Sequence, residues 1–291
     1  VNRILRKEQL SRDVFLMDLD APAIAKSRKA GQFVILMIDS DYGERIPLTI
    51  ADADAATGRV TIIFQAVGGT TRRLAELGEG QSLAHVLGPL GRPTEIRKHD
   101  APVVCVGGGI GVAPLHPIVQ AFKKAGNTVI TIIGARNKDL LIMEKEMAAY
   151  SDRLIVCTDD GSYGRKALVT EPLKEFCEGA AGAVPAEAVA IGPPVMMKFC
   201  AATTRPYGVH TIVSLNSIMV DGTGMCGGCR VAVGGKTRFV CVDGPEFDGH
   251  QVDFDSLVRR LSSYKDIEAR KIDHACNLTE AARTLAAGRA S

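Results

Sequence analysis

The sequence contains no tryptophan, and phenylalanine and tyrosine bring its aromatic content to only 5%. Single-stranded nucleic-acid binders stack bases on aromatic platforms, and this chain has few to offer. It also carries little net charge, with 35 Lys and Arg against 33 Asp and Glu for a formal +2. Non-specific nucleic-acid binding depends on many phosphate-neutralising cations, so the balance argues against nucleic acid as a partner. No window approaches the roughly 18 apolar residues of a membrane span, so no membrane is expected either. The opening stretch VNRILRKEQLSRDVF has charges every few positions and no apolar signal-peptide core. The expectation is a soluble, cytoplasmic chain.

What the sequence does have is an ordinary globular balance, 46% hydrophobic and 23% charged, over 291 residues. That length suggests two domains with a small third module. Residues 1–98 read as an antiparallel β-barrel. Short strand-like runs at 14–19, 32–38, 48–51, 59–66 and 82–87 are punctuated by Gly, Pro and Asp, with one helix at 70–75. From 99 to 213 the pattern changes to strands alternating with helices. Strands are expected at 102–106, 128–133, 154–157 and 187–191, with helical periodicity at 112–124, 140–150 and 168–177, and 195–200 continuing the alternation. This is the signature of βαβ units and an open parallel sheet. Residues 179–185, GAAGAVP, read as a flexible connection. From 214 to 291 the regularity breaks. Residues 216–249 hold eight glycines and three cysteines, with short strands at 230–233 and 237–241 and an amphipathic helix at 254–261. So small a module buries little core, and a metal centre would staple it.

The eight cysteines divide by neighbourhood. Cys105, Cys157, Cys177 and Cys200 lie in apolar segments and read as small buried hydrophobes. Cys276 stands alone in a charged tail and has no assigned role. Cys226, Cys229 and Cys241 cluster among glycines, in the spacing Asp221-x4-Cys226-x2-Cys229-x11-Cys241. A plant-type [2Fe–2S] cluster uses C-x4-C-x2-C and a distant fourth cysteine, so three positions match and Asp221 replaces the first thiolate. Two other readings remain open. Zinc could be held by the three cysteines with His250, or Asp221 could be a turn residue with Ser217 as the fourth cluster ligand.

A second motif follows the first strand of the α/β region. Gly107, Gly108, Gly109, Ile110 and Gly111 lead into a helix with Pro114 in its first turn. Glycines let backbone approach a pyrophosphate, and helix N-terminal amides meet its charge. The alternative is a strand-to-helix turn without a ligand. Arg136 after the second strand would suit a 2′-phosphate, whereas Asp159 and Asp160 after the third would repel one, unless they only cap the turn.

Arg45, Ile46, Pro47, Leu48 and Thr49 open a strand of the barrel. With the barrel-then-sheet order, they resemble the R-x-[PY]-[LI]-[ST] flavin motif of the ferredoxin–NADP reductase superfamily. Gly68, Gly69, Thr70 and Thr71 resemble its V-G-x-G-T phosphate loop, with Thr70 in place of a glycine. Residues 88–91, GPLG, resemble its G-P-x-G exit from the barrel, and 107–114 its nicotinamide-nucleotide loop. With the cysteine module added, the whole chain resembles a narrower group. That group contains the electron-transfer subunit of dihydroorotate dehydrogenase and the small subunit of NADH-dependent ferredoxin–NADP oxidoreductase, an electron-bifurcating transhydrogenase. The dihydroorotate type carries four Cys ligands, and an aspartate in the first place is associated with the bifurcating member, which is therefore preferred. One departure is Ile191-Gly192-Pro193-Pro194, where the superfamily often has C-G-P.

The resemblance implies FAD, NAD(H) and a [2Fe–2S] cluster. Arg45 would pair with the flavin pyrophosphate, and Thr49 would lie nearest the chemistry, by flavin N5. Gly68–Thr71 and Gly107–Gly111 would hold phosphates, while Asp159 and Asp160 are cofactor-binding candidates from their place after the third strand. Asp221, Cys226, Cys229 and Cys241 would hold iron. The implied function is hydride exchange between NAD(H) and FAD, with single electrons passing through the cluster to a partner. That partner would be a larger flavin- and [4Fe–4S]-containing subunit handling ferredoxin and NADP(H), docked on the cluster side, with the helix at 254–261 a candidate contact. The alternatives are a dihydroorotate dehydrogenase subunit and, outside enzymes, a zinc-stapled nucleotide-binding regulatory subunit.

Overall fold

The computed structural model describes residues 2–40 and 43–263; Cys276 and the tail lie outside this range. Six antiparallel strands come first: β1 (Ile4–Ser11), β2 (Val14–Asp20), β3 (Phe33–Met37), β4 (Arg45–Asp54), β5 (Arg59–Gln65) and β6 (His85–Leu90). Their order is β1-β2-β5-β4-β3-β6. An Arg3–Ser82 bridge brings the outer two together, with the Ile4 N–H donating to the Gln81 carbonyl at 2.8 Å. The sheet thereby closes into a barrel, which removes exposed edges. Its interior is filled by Met17, Leu36, Ile62 and Phe64. Two helices interrupt it, α1 (Pro22–Ser27) and α2 (Gly69–Glu76). Only α2 is predicted from the sequence; α1 starts on a proline in its first turn, where the missing N–H costs nothing.

The chain then builds a seven-stranded sheet. Its elements are β7 (Val103–Gly108), α3 (Val112–Lys124), β8 (Val129–Ala135), α4 (Glu144–Ala148), β9 (Arg153–Thr158), β10 (Arg165–Lys166), α5 (Thr170–Cys177), β11 (Glu187–Ile191), α6 (Pro194–Thr204) and β12 (His210–Ser214). The order β10-β9-β8-β7-β11-β12 is parallel throughout. β7 is buried along its whole length, as a central parallel strand must be. Its alternating side chains serve two cores. Val103 and Cys105 pack under α3 with Leu115 and Phe122. Val104 and Val106 face the side that also holds Leu173 of α5 and Met197 of α6. The four cysteines outside the glycine-rich module, at 105, 157, 177 and 200, are buried as expected.

The last module contains β13 (Arg230–Val233), β14 (Lys236–Phe239), α7 (Val240–Asp243), β15 (Glu246–Asp248) and α8 (Phe254–Ser262). It is not a free appendage. β15 pairs antiparallel with β12 and extends the parallel sheet. Cys229, Val231, Val240, Cys241, Phe254 and Leu257 share one core with Phe33 and Ile35 of the barrel. Barrel, sheet and module therefore meet in continuous apolar packing.

Candidate functional site

The flavin-motif residues occupy the first half of β4, paired with β3 in register: Arg45 with Met37, Ile46 with Leu36, Pro47 with Ile35, Leu48 with Val34 and Thr49 with Phe33. The helix N-terminus at Gly68–Thr71 lies beside this strand, because the Thr70 hydroxyl donates to Glu44, the neighbour of Arg45. Thr70, which replaces a glycine of the resembled motif, thus ties the two segments together. The Thr71 hydroxyl accepts from the Gly68 N–H at 3.0 Å, which leaves the amides of the first turn available. A Cβ placed on Gly69 would meet nothing within 4 Å. The arrangement fits a bound pyrophosphate, with a helix start facing open space beside the strand that carries Arg45.

The nucleotide loop sits at the C-terminal end of β7, where the chain runs first outward to β8 and β9 and later returns on the other side through β11. That is the topological switch point at which such sheets bind ligands. The glycines have distinct reasons to be there. A Cβ on Gly111 would lie 2.3 Å from the Ile191 carbonyl oxygen, and one on Gly108 would lie 2.3 Å from Met196 Sδ. Those two are required by close packing of the loop on residues 191–196. Gly109 has φ +54 and nothing within 4 Å of an added Cβ, so it turns the chain while facing open space. Met196 is a neighbour that sequence reasoning did not identify. Asp159 and Asp160 lie at the next strand ends, their N–H groups donating to Ala135 and Arg136. Hydrogen bonds from Ser162, its side chain first and then its N–H at 2.9 Å, lower the Asp160 pKa.

The cysteine module places its four candidate ligands in two pairs. Asp221 Oδ1 accepts from the Thr223 N–H at 3.1 Å and Oδ2 from the Cys226 N–H at 2.9 Å. These amides, Thr223 first, hold its carboxyl below the usual range. A carboxylate has about four lone-pair sites, so both oxygens retain capacity for iron. Cys229 and Cys241 form the second pair, with their sulfurs 3.2 Å apart. Both thiols are free. Burial pushes the Cys241 thiol up to about 12. Two backbone amides already point at sulfur, Gly228 N–H at Cys226 and Cys241 N–H at Cys229, each at 3.4 Å. Gly222, Gly224 and Gly227 all have positive φ, so the loop curls where only glycine is at ease. Free thiols, amide–sulfur hydrogen bonds and a tightly curled loop suit an iron–sulfur cluster.

Of the competing ligands, His250 is engaged elsewhere. His250 Nε2 lies 3.0 Å from the Thr204 hydroxyl on α6, away from its zinc-ligand role. Among the described residues, no three His, Cys, Asp or Glu side chains converge at single-ion spacing. The Ser217 hydroxyl is buried without a hydrogen-bond partner, in a small cavity against Leu257, Arg260 and Leu261 of α8. The apolar face of α8, Phe254 and Leu257, is spent inside the chain rather than offered to a partner.

Known proteins match this layout. The oxidoreductase NAD-binding domain family matches residues 105–202, and the iron–sulfur cluster binding domain of dihydroorotate dehydrogenase B matches 216–253. An uncharacterised Clostridium beijerinckii protein is 48% identical over 274 residues, covering 92% of each chain. A Thermotoga maritima homologue of the dihydroorotate dehydrogenase B (NAD(+)) electron transfer subunit is 46% identical over 268 residues, covering 92% of this chain and 93% of its own. This chain belongs to the family of dihydroorotate dehydrogenase B electron-transfer subunits and their homologues. A chain from the structure of the NADH-dependent reduced ferredoxin–NADP oxidoreductase superposes with a TM-score of 0.86. It is 44% identical, and the match covers 94% of this chain and 98% of that one. The family membership makes this chain an NAD(P)H-dependent oxidoreductase subunit, with FAD, NAD(H) and an iron–sulfur cluster as its cofactors. Among the described residues no helix is long and apolar enough to cross a membrane.

Proposed function

We propose that this chain is the small, NAD(H)-facing subunit of an electron-bifurcating NADH-dependent ferredoxin–NADP oxidoreductase, acting in the cytoplasm. The observation that carries this reading is Asp221 at the first ligand position, its carboxylate turned into the loop that bears Cys226. The dihydroorotate dehydrogenase type has a cysteine there. The extensive match to the bifurcating reductase structure supports the same choice. The proposed division is a flavin barrel at 1–98, a nucleotide domain at 99–213 and a cluster module at 214–291.

When bound, FAD accepts an electron pair as hydride and releases single electrons to a [2Fe–2S] cluster; the protein orients and tunes these groups. Arg45 neutralises the flavin pyrophosphate together with the amides of Gly68–Thr71, and Thr49 orients the flavin near N5. The Gly107–Gly111 loop and the α3 N-terminus receive the NAD phosphates. Asp159 and Asp160 favour free ribose hydroxyls over a 2′-phosphate, which selects NAD(H). Asp221, Cys226, Cys229 and Cys241 would hold the cluster iron. Around them Met225 is 87% exposed, Val220 57% and Val242 39%, so the cluster loop presents an apolar rim. A larger flavin- and [4Fe–4S]-containing subunit that handles ferredoxin and NADP(H) docks there.

The test is chemical analysis of the anaerobically purified chain. About two iron and two acid-labile sulfide per chain, a flavin spectrum and its bleaching by NADH are expected. One zinc without sulfide, or a flavin that NADH leaves oxidised, overturns the reading. The co-purifying large subunit distinguishes it from a dihydroorotate dehydrogenase complex.

A further inference from the structure

The cluster loop reaches the barrel at one glycine. Gly222 follows Asp221 and has φ +75. A Cβ built there would lie 2.8 Å from Ile35 Cγ1 and 3.1 Å from Leu90 Cδ1. Ile35 is 2% exposed and stands opposite Pro47 of the flavin strand on one side and Leu87 of β6 on the other. Leu90 is the last residue of β6. The loop therefore lands on the seam between β3 and β6, one strand away from Arg45–Thr49. The other left-handed glycines of the loop face inward. Added Cβ atoms would meet Val242 at 3.2 Å from Gly224 and Phe239 at 3.7 Å from Gly227, both within the module. A second fastening lies next to Cys241, where the Arg92 side chain donates to the Val242 carbonyl at 3.2 Å and its N–H to the Gly244 carbonyl at 2.7 Å. Both ligand-bearing segments are thus pinned to the barrel exit, and at Gly222 the contact is set by the absence of a side chain.

We propose that Gly222 is a positioning residue that fixes the closest approach of the cluster loop to the flavin strand, and so sets the rate of electron transfer between them. This rests on the flavin and iron–sulfur reading above. In that step one electron leaves reduced flavin and reduces one ferric iron; no bond forms or breaks. Its rate falls exponentially with the separation of the two centres, so a small displacement is felt strongly. A side chain at 222 must push the loop outward, because Ile35 is packed in the core and cannot withdraw.

The experiment compares Gly222→Ala with Gly235→Ala, in the β13–β14 turn of the same module, which imposes similar left-handed strain at φ +73 with nothing within 4 Å of the added Cβ. A third variant pairs Gly222→Ala with Leu90→Ala, which removes one of the two side chains that the new Cβ would meet. Iron and sulfide content and the EPR signal of the dithionite-reduced protein report cluster assembly. Stopped-flow with NADH then resolves flavin bleaching from the following cluster reduction. In the variants that retain iron, Gly222→Ala is expected to leave bleaching unchanged and slow cluster reduction several-fold, and the paired variant to slow it less. Gly235→Ala is expected to match the parent. Unaltered cluster reduction in whichever Gly222→Ala variant retains iron overturns the proposal. So does an equal slowing in Gly235→Ala, or a parallel loss of both phases. A parent protein that lacks flavin bleaching or the cluster signal defeats the functional reading instead.

Discussion

At the scale of single residues, the proposed function turns on one carboxylate among thiols. Asp221 is a harder donor than a thiolate, and its two backbone hydrogen bonds place it without using all its lone pairs. Asp221→Cys is expected to keep the cluster and alter both its EPR signal and its reduction potential; an unchanged signal and potential would remove Asp221 from the ligand set. Cys229→Ser should be harsher, because Cys229 is 2% exposed and its sulfur lies beside that of Cys241. Loss of most of the iron and sulfide, measured colorimetrically, is the expected result. The acids at the strand ends carry a different prediction. Replacing Asp159 by serine removes a negative charge from the nucleotide-facing edge, and kcat/KM for NADPH relative to NADH should rise about tenfold, equivalent to about 1.4 kcal/mol. No change in that ratio would mean that Asp159 serves only the turn. The spacing of Asp221, Cys226, Cys229 and Cys241 was legible in the sequence because covalent distance along the chain limits how a loop can present ligands. The packing of Gly222 on Ile35 was not, since the two are joined only by the fold.

At the scale of elements, periodicity was a good guide where one face is buried and a poor one elsewhere. Helix α3 covers the predicted 112–124, because its apolar stripe lies against β7. The helix expected over 140–150 is reduced to Glu144–Ala148, since Met143 adopts a left-handed conformation at φ +58 and breaks the run. β1 was missed because ILRKEQLS is largely exposed and shows little alternation. The strand expected at 237–241 stops at Phe239, and the chain makes a helical turn that carries Cys241. The nucleotide loop shows how one motif divides its labour. Gly111→Ala drives a Cβ into the Ile191 backbone carbonyl and should abolish NADH binding, read as loss of NADH-dependent bleaching with the flavin retained. Gly109→Ala meets open space and imposes only left-handed strain, about 1–2 kcal/mol. It should weaken NADH binding far less. Equal losses in the two variants would refute the division.

At the scale of the whole molecule, the sequence order of barrel, sheet and cluster module conceals how the third part returns to the first two. β15 joins the edge of the parallel sheet, and its first residue, Glu246, points back at the barrel exit. Glu246 accepts from the Thr94 hydroxyl at 2.6 Å and packs where an added Cβ on Gly31 would lie 2.7 Å from its carboxylate. Burial at this three-way junction raises its pKa from 4.5 to about 7, with the nearby acid Glu187 adding to the rise. Glu187, between His99 and His210 at 3.7 Å from each, is itself raised by burial. A carboxyl whose pKa is raised on folding favours the folded state while protonated. Its stabilising effect is complete below the unfolded value near 4.5 and is lost as pH rises through about 7. The shift corresponds to roughly 3 kcal/mol. Glu246→Gln keeps an acceptor for Thr94 and cannot ionise. Denaturant unfolding should therefore show the variant gaining on the parent between pH 5 and pH 8, the gap opening over the window that the raised pKa defines. A difference that stays flat across that range would show that the junction does not hold Glu246 protonated.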